Sequence, residues 1–167
     1  MKPRNQDGTQ ADVPQNITQV VELPHHNSRE IIYVVISSQA YIDLLMLNIG
    51  NGTPQLSHLR KWKINVEALC PSLSTPQVFW TVHHGVISQC VIDTSKPQKI
   101  EITKKIKYSN DQAQATAIKH TFLRQSEQIN DDKEELIAIA TSDYDLIIVK
   151  DGKVECKVKD AHYQDIT

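Results

Sequence analysis

The feature that most constrains the fold of this chain is a strand–turn–strand unit that occurs between residues 134 and 158. Its segments 136–140 and 146–149 are short, apolar and largely unbroken, which is typical of strands buried on both faces. Ser142-Asp143 and Asp151-Gly152 separate the segments, because Asp and Gly tolerate the positive φ that tight turns require. A third segment follows the second turn, so the unit predicts an antiparallel meander.

The third segment alternates in polarity. Val154, Cys156 and Val158 are separated by Glu155 and Lys157. Side chains in a strand point alternately to its two faces, so this strand is predicted to have one buried and one solvated face.

The same order of segments occurs twice more, at 31–66 and at 78–107. The starts of the units lie 47 residues apart from Ile31 to Val78 and 58 residues apart from Val78 to Leu136. The first spacing is close to the roughly 40–45 residues of a β-propeller blade. The longer second spacing is explained by polar loops around an additional strand.

A propeller blade has four strands, and the innermost lines the centre of the ring. Candidates for inner strands are the segments 65–69, 115–121 and one that begins near Ile166. The sequence therefore predicts an all-β fold of about three antiparallel four-stranded blades, at 30–66, 65–107 and 115–158, with a further blade starting at 165. Since known rings need about four to eight blades, we expect an incomplete ring, either in a fragment of a longer protein or with blades that come together with another chain. The alternative is a complete antiparallel sandwich or barrel.

The core and the N-terminal boundary follow from this assignment. We expect four residues of the last unit to be buried between blades, namely Ile137, Ile139, Ile147 and Val149. Residues 1–27 are mostly polar and are predicted to be a mobile lead-in. The alternative is that the apolar positions at 18–23 form an edge strand of the sheet.

Composition narrows the class of protein further. The net charge of −2 gives no general attraction to nucleic acid or to an anionic membrane. No apolar run approaches the roughly 18 residues of a membrane helix, and the N-terminus lacks the pattern of a signal peptide. The three cysteines, an odd number at long spacings, favour a reducing, cytoplasmic setting without disulfides. Cys90 and Cys156 lie in apolar segments, where buried thiols are common.

The stretch 134–167 resembles the WD-repeat family in its two apolar strands around Ser-Asp, followed by Ala161-His162 and Ile166-Thr167. The sequence departs from the family pattern because the Trp-Asp pair is absent and Ala161 stands where Gly is usual. The resemblance implies a propeller used as a protein–protein interaction scaffold. It also implies that Asp143 and His162 have structural roles within the blade.

A narrower resemblance connects Lys-Lys-Ile-Lys at 104–107, the hairpin at 134–150 and the segment 157–167 with the Sar-type GTPase exchange factors of the prolactin regulatory element-binding protein family. This resemblance implies nucleotide exchange on a small GTPase in ER-to-Golgi vesicle transport, at the cytosolic face of the endoplasmic reticulum. The potassium-binding loop and the membrane helix of that family have no counterpart in these residues.

The sequence predicts no catalytic residue, no cofactor and no metal site. The sequence has no glycine-rich phosphate loop, Cys-x-x-Cys, His-Glu-x-x-His or Gly-x-Ser-x-Gly motif, so enzymatic activity other than nucleotide exchange is not expected. His83-His84 lacks a third ligand nearby in the sequence and is interpreted as an exposed turn. Asp131-Asp132 with Glu134-Glu135 is interpreted as a solvated loop, with a calcium or partner contact as the alternative.

A basic segment in the second unit is the candidate contact for another protein. Three isoleucines are expected to point inward, namely Ile100, Ile102 and Ile106. Three lysines are expected to point to solvent, namely Lys99, Lys105 and Lys107. These lysines could contact an acidic partner, or form only a solvated edge that repels added strands. No aromatic residue is interleaved, so binding of single-stranded nucleic acid is not expected.

Overall fold

The computed structural model of the protein describes residues 4–5, 17–24, 30–38, 40–50, 52–73, 75–109, 113–123 and 134–161. Within these ranges the strands pair into three separate sheets. Each sheet contains four consecutive antiparallel strands, and the first sheet has one short parallel strand in addition. The predicted all-β fold with three four-stranded blades is therefore confirmed. The alternative of one sandwich or barrel is wrong, because the strands form three separate sheets and none of these sheets closes on itself.

The four antiparallel strands of each blade lie in chain order, and the short strand β1 of blade 1 pairs with β5. Blade 1 contains β1 (Arg4–Asn5), β2 (Ile17–Leu23), β3 (Ile31–Ser38), β4 (Tyr41–Asn48) and β5 (Gln55–Lys63). Blade 2 contains β6 (Ala68–Pro71), β7 (Val78–His83), β8 (Val86–Ile92) and β9 (Ile100–Lys107). Blade 3 contains β10 (Ala115–Leu123), β11 (Glu134–Thr141), β12 (Leu146–Lys150) and β13 (Lys153–Val158).

The first strand of each antiparallel meander lies at the inside of the assembly. Strand β6 contacts β2 on one side and β10 on the other. The predicted inner strands at 65–69 and 115–121 correspond to β6, which begins three residues later than predicted, and to β10. The predicted start of a further blade at 165 lies outside the described residues.

Blade 1 begins earlier than the main prediction placed it. Ile17–Leu23 forms β2, which pairs antiparallel with β3 at the edge of the sheet. Leu23 is completely buried, which gives this apolar segment a reason to be ordered. The prediction of a lead-in up to residue 27 is wrong for β2, and the alternative of an edge strand at 18–23 is confirmed.

Blade 2 has an apolar core on each of its two faces. Phe79 and Trp80 are consecutive in β7, so their side chains point to opposite faces, and both are fully buried. Phe79 packs with residues of blade 1, including Val35 and Ile42, in what we call the first interface. Trp80 packs with residues of blade 3 in what we call the second interface. Because β7 is buried on both faces, its residues 78–82 are apolar except for Thr81.

The second interface contains the four residues that were predicted to be buried between blades. Ile137, Ile139, Ile147 and Val149 are each at most 1% exposed and belong to the same core as Trp80. This prediction is confirmed.

A β-bulge corrects the predicted register of β9. Cys90 pairs with Ile102 and its neighbour Gln89 pairs with Lys104, so Thr103 is an extra residue in the strand. The bulge shifts the period-two alternation by one residue. Ile102 is consequently 49% exposed, whereas Ile106 is buried in the second interface. The prediction that the isoleucines of this strand, including Ile100, all point inward on one face is wrong.

Strand β13 has no buried face, contrary to its alternating pattern. Val154 and Val158 are 43% and 44% exposed, and Cys156 is also exposed. The strand lies at the outer edge of blade 3, where its pairing partner is β12. An alternating sequence gives a buried face only where a second layer covers it.

Candidate functional site

The turn between β7 and β8 places two histidine side chains together. His84 and Gly85 both have positive φ, at 47° and 71°, as in a type I′ turn. The chain reverses immediately after His83, so the rings of His83 and His84 do not point to opposite faces. Their centroids lie 3.9 Å apart.

Glu67 lies directly beside this turn and is held in place by backbone groups. Its own N–H donates a hydrogen bond to the carbonyl oxygen of Val82 at 2.8 Å, which extends the pairing of β6 with β7. Its Oε1 accepts a hydrogen bond from the His84 N–H at 2.9 Å, and its Oε2 accepts one from the Ala115 N–H at 2.9 Å. The carboxylate is therefore fixed between blades 2 and 3.

Both histidines direct a ring nitrogen at this carboxylate. His83 Nδ1 and His84 Nδ1 each lie 3.6 Å from Glu67 Oε1. The predicted turn at His83-His84 is confirmed, and the fold places the carboxylate of Glu67 beside it in space. No spacing rule joins Glu67 to this turn in the sequence, since the contact depends on the pairing of β6 with β7.

The cluster borders an open cavity of about 430 Å³ where the three blades meet. Thr18 of β2 lines the cavity from blade 1, and Ala115 of β10 lines it from blade 3. We call this the Glu67 pocket, which is lined by Thr18, Asn65, Glu67, His83, His84 and Gln114, among others. Each blade thus contributes to the same opening.

A second group of polar side chains lies within the second interface. His120 of β10 is fully buried beside the ring of Trp80, with the ring centroids 5.6 Å apart. The Leu73 N–H donates a hydrogen bond to His120 Nδ1 at 3.2 Å, so the ring proton is assigned to Nε2, which donates to Glu135 Oε1 at 3.2 Å. Burial lowers the pKa of His120, although the Glu135 carboxylate opposes the shift. His120 is therefore a neutral donor in this network.

Glu135 also joins blades 2 and 3 through an ion pair. Lys104 Nζ lies 3.1 Å from Glu135 Oε2 and 5.7 Å from the centroid of the Trp80 ring. The interpretation of Glu134-Glu135 as part of a solvated loop was wrong, because both residues belong to β11 and both have a lysine partner. The acidic residues 131–132 lie outside the described residues.

The three candidate contact lysines are all exposed along the outer edge of blade 2. Lys105 and Lys107 pair with Ser88 and Val86 of β8 and share one face of the sheet. Lys99 directly precedes β9 at the other end of the strand. No ion pair or hydrogen bond joins these lysine side chains to another residue in the part of the chain that the structure describes.

The predicted structural residues of blade 3 have different outcomes. Asp143 is exposed in the turn after β11 and makes no hydrogen bond to a described residue. Asp145 has the structural contacts instead: its N–H donates to Thr141 Oγ1 at 3.2 Å, and its carboxylate pairs with Lys157 at 3.0 Å. His162 lies outside the described residues.

Two of the three cysteines, Cys70 and Cys90, are buried free thiols. Burial raises the pKa of the Cys70 thiol to about 12 and also raises the pKa of Cys90. The thiolate is the reactive form of cysteine, so both side chains act as small buried apolar groups. The expectation that Cys156 is buried was wrong.

Comparison with known proteins gives no match, either to a protein-family model or to a curated protein. Within the described ranges, no helix has the length and apolar character needed to cross a membrane.

Proposed function

We propose that this protein is an interaction scaffold whose β9 edge contacts an acidic segment of another protein. The observation that supports this proposal is the set of exposed lysines along the edge, Lys99, Lys105 and Lys107, whose charges no described residue neutralises. The neighbouring Lys104 differs from these three lysines, because its ammonium group already forms an ion pair with Glu135.

The spacing of the lysines indicates the shape of such a partner. Lys99 and Lys107 are eight residues apart, which corresponds to roughly 26 Å along an extended strand. A compact anion could not contact both ends, whereas an extended segment with several carboxylates could. The exposed Glu101 lies between the ends and would repel a carboxylate placed opposite it.

Electrostatic attraction of this kind increases association rates more than it lowers dissociation rates. Charges on an exposed edge are screened by salt, with a Debye length of about 8 Å at physiological ionic strength. The proposed contact therefore predicts binding that weakens steeply as salt is added.

Fluorescence anisotropy with a labelled decaglutamate peptide tests the proposal, with a decaserine peptide as the uncharged control. Changing Lys99, Lys105 and Lys107 together to Glu should weaken peptide binding by at least about tenfold, since each exposed charge contributes up to about 1 kcal/mol. Glu101→Gln should strengthen it. A variant with Lys63, Lys153 and Lys159 changed to Glu has the same net charge but leaves β9 intact, so it should bind nearly as wild type.

Equal loss of binding in the two triple variants would show that only net charge matters, and would contradict a contact at β9. The exchange-factor function implied by the narrower resemblance stays a prediction. Its measurement is the release of a fluorescent guanine nucleotide from a Sar-type GTPase, with and without this protein.

A further inference from the structure

The Glu67 pocket contains a set of donor atoms that the proposed scaffold function does not use. Glu67, His83 and His84 each offer one ligand atom, and these atoms all lie within 4.8 Å of one another. Two imidazole nitrogens and one carboxylate oxygen are a ligand set typical of zinc sites that keep one position open. We propose that these three residues bind a divalent transition-metal ion of the Zn²⁺ class.

The distances from the carboxylate to the two histidines are close to those that such an ion requires. Zn²⁺ binds imidazole nitrogen and carboxylate oxygen at about 2.0–2.2 Å, which in a tetrahedron separates two ligand atoms by roughly 3.3–3.6 Å. The distance from Glu67 Oε1 to each histidine Nδ1 is 3.6 Å. The His84 side chain is 76% exposed, so it can make the small remaining adjustment without disturbing the core.

The carboxylate is already held in position for a metal. Two backbone N–H groups, from His84 and Ala115, bind its two oxygens. Only 11% of the Glu67 side chain is exposed. Such fixed outer contacts orient ligands in metal sites.

The His83 Nδ1 atom gives further support for a ligand in this pocket, although 38% of the His83 side chain is exposed. This atom is buried and has no hydrogen-bond partner within the described part of the chain. A buried polar atom without a partner is costly and calls for an explanation. A metal ion beside Glu67 would provide the missing partner.

The backbone conformation of the turn does not explain why residue 84 is a histidine. His84 has a φ of 47°, in the left-handed region that Gly, Asn and Asp adopt more readily. The equivalent turn of blade 3 has Asp151 with a φ of 46° before Gly152, so the type of turn does not require histidine.

The open coordination position would face the cavity. Thr18, Asn65 and Gln114 line the cavity around the cluster, and none of them is a preferred zinc ligand. Water or a side chain from another molecule would therefore complete the coordination.

Titration of the chelator-treated full chain with Zn²⁺, in competition with a chromophoric chelator, tests the proposal. We expect one ion to bind per chain at neutral pH, and binding to weaken at acidic pH because protons compete for the imidazole nitrogens. Glu67→Gln should reduce the affinity by more than the roughly 10–100-fold loss that follows removal of an outer partner of a ligand.

His84→Asn is the variant that separates metal binding from folding. Asn-Gly is the preferred sequence of a type I′ turn, so this variant should fold at least as well as wild type while it loses one ligand. Asp151→Asn creates the same Asn-Gly sequence in the equivalent turn of blade 3. It leaves Glu67, His83 and His84 unchanged, so this variant should bind Zn²⁺ as wild type does. The sequence has one other pair of adjacent histidines, His25-His26. A variant with both changed to Ala should retain binding, which excludes that pair as the site.

Co²⁺ provides a second readout. Its visible absorption should indicate four-coordination in wild type, and azide should change the spectrum by entering the open position. The proposal is overturned if wild type binds Zn²⁺ no more tightly than Glu67→Gln and His84→Asn do. This result counts against the site whether all three proteins bind Zn²⁺ or none of them does.

Discussion

The two interfaces of blade 2 differ in how they hold the neighbouring blade. The first interface is an apolar core around Phe79. Outside this core, the Leu69 N–H donates a hydrogen bond to Gln19 Oε1 at 2.6 Å. The second interface has an apolar core around Trp80 and, in addition, the buried His120 and the ion pair between Glu135 and Lys104.

The difference between the two interfaces separates the stability of the packing from the relative orientation of the blades. Apolar burial stabilises in proportion to the area removed from water and specifies little about orientation. A hydrogen-bonded network forms only in one arrangement, because each donor needs its acceptor at the correct distance and angle. The network also loses hydration, so its net contribution to stability is small. We therefore expect the apolar residues to determine stability, and the network to fix how blade 3 sits on blade 2.

The largest effect should follow a charge introduced into the second interface. Ile139→Asp places a carboxylate at a completely buried position without a partner and should cost at least about 4 kcal/mol, or prevent folding. Ile102→Asp is the matched control at a half-exposed position of β9 and should cost about 1 kcal/mol or less. Urea unfolding followed by tryptophan fluorescence measures both. A normal unfolding midpoint for Ile139→Asp would contradict the burial of β11 between blades.

A cavity in the first interface should have the next largest effect. Phe79→Ala should lower the free energy of unfolding by about 3–5 kcal/mol, because Phe79 is completely buried. Phe79→Leu should cost about 1.5 kcal/mol or less, since the volume is nearly kept. Urea titrations at pH 7.5 and pH 5.5 should give the same difference between wild type and Phe79→Ala. A difference that changes with pH would show that this interface depends on charge.

Removing the ion pair of the second interface should have a smaller effect. In a double-mutant cycle, Lys104→Met and Glu135→Gln should show a coupling of about 0.5–1 kcal/mol in the free energy of unfolding. The Lys104 side chain is 38% exposed, so solvent screens the interaction. If the changes in unfolding free energy of the two single variants sum to that of the double variant, the ion pair does not stabilise the contact between the blades.

Wild type should also lose stability as the pH falls from about 7 toward 5. Burial lowers the pKa of His120 in the folded protein, whereas the unfolded chain has an ordinary histidine pKa of about 6.5. Below that value the unfolded state binds more protons than the folded state, which favours unfolding. Glu135 and Lys104 are the charged groups that face His120. His120→Gln keeps a donor and an acceptor without titrating, and thermal melts at several pH values should show a shallower pH dependence for it than for wild type.

The sequence predicted the strands and turns well, because these depend on neighbouring residues. Asp151-Gly152 has the positive φ values expected of a hairpin turn, at 46° and 82°. The buried isoleucines of β11 and β12 could be identified from unbroken apolar runs alone. The bulge at Thr103 could not, since the alternating pattern of β9 continues through it without a sequence signal.

The candidate sites show the same limit more clearly. Lys99, Lys105 and Lys107 could be recognised in the sequence as exposed positions, because charged residues in an edge strand face solvent. The roles of Glu67 and Glu135 could not be recognised. Each contacts residues more than fifteen positions away along the chain, through strand pairing or packing between blades.

The sequence by itself determined that this chain is built from repeated antiparallel strands, since alternation and turn chemistry are local properties. Only the tertiary structure decided which faces of those strands are buried. In the alternating strand β9 of blade 2, Ile106 is covered by blade 3 and Ile102 is exposed, whereas every residue of the alternating strand β13 is exposed at the edge of blade 3. The tertiary structure also decided that Glu67 meets His83 and His84, because a contact between distant residues requires the packed chain.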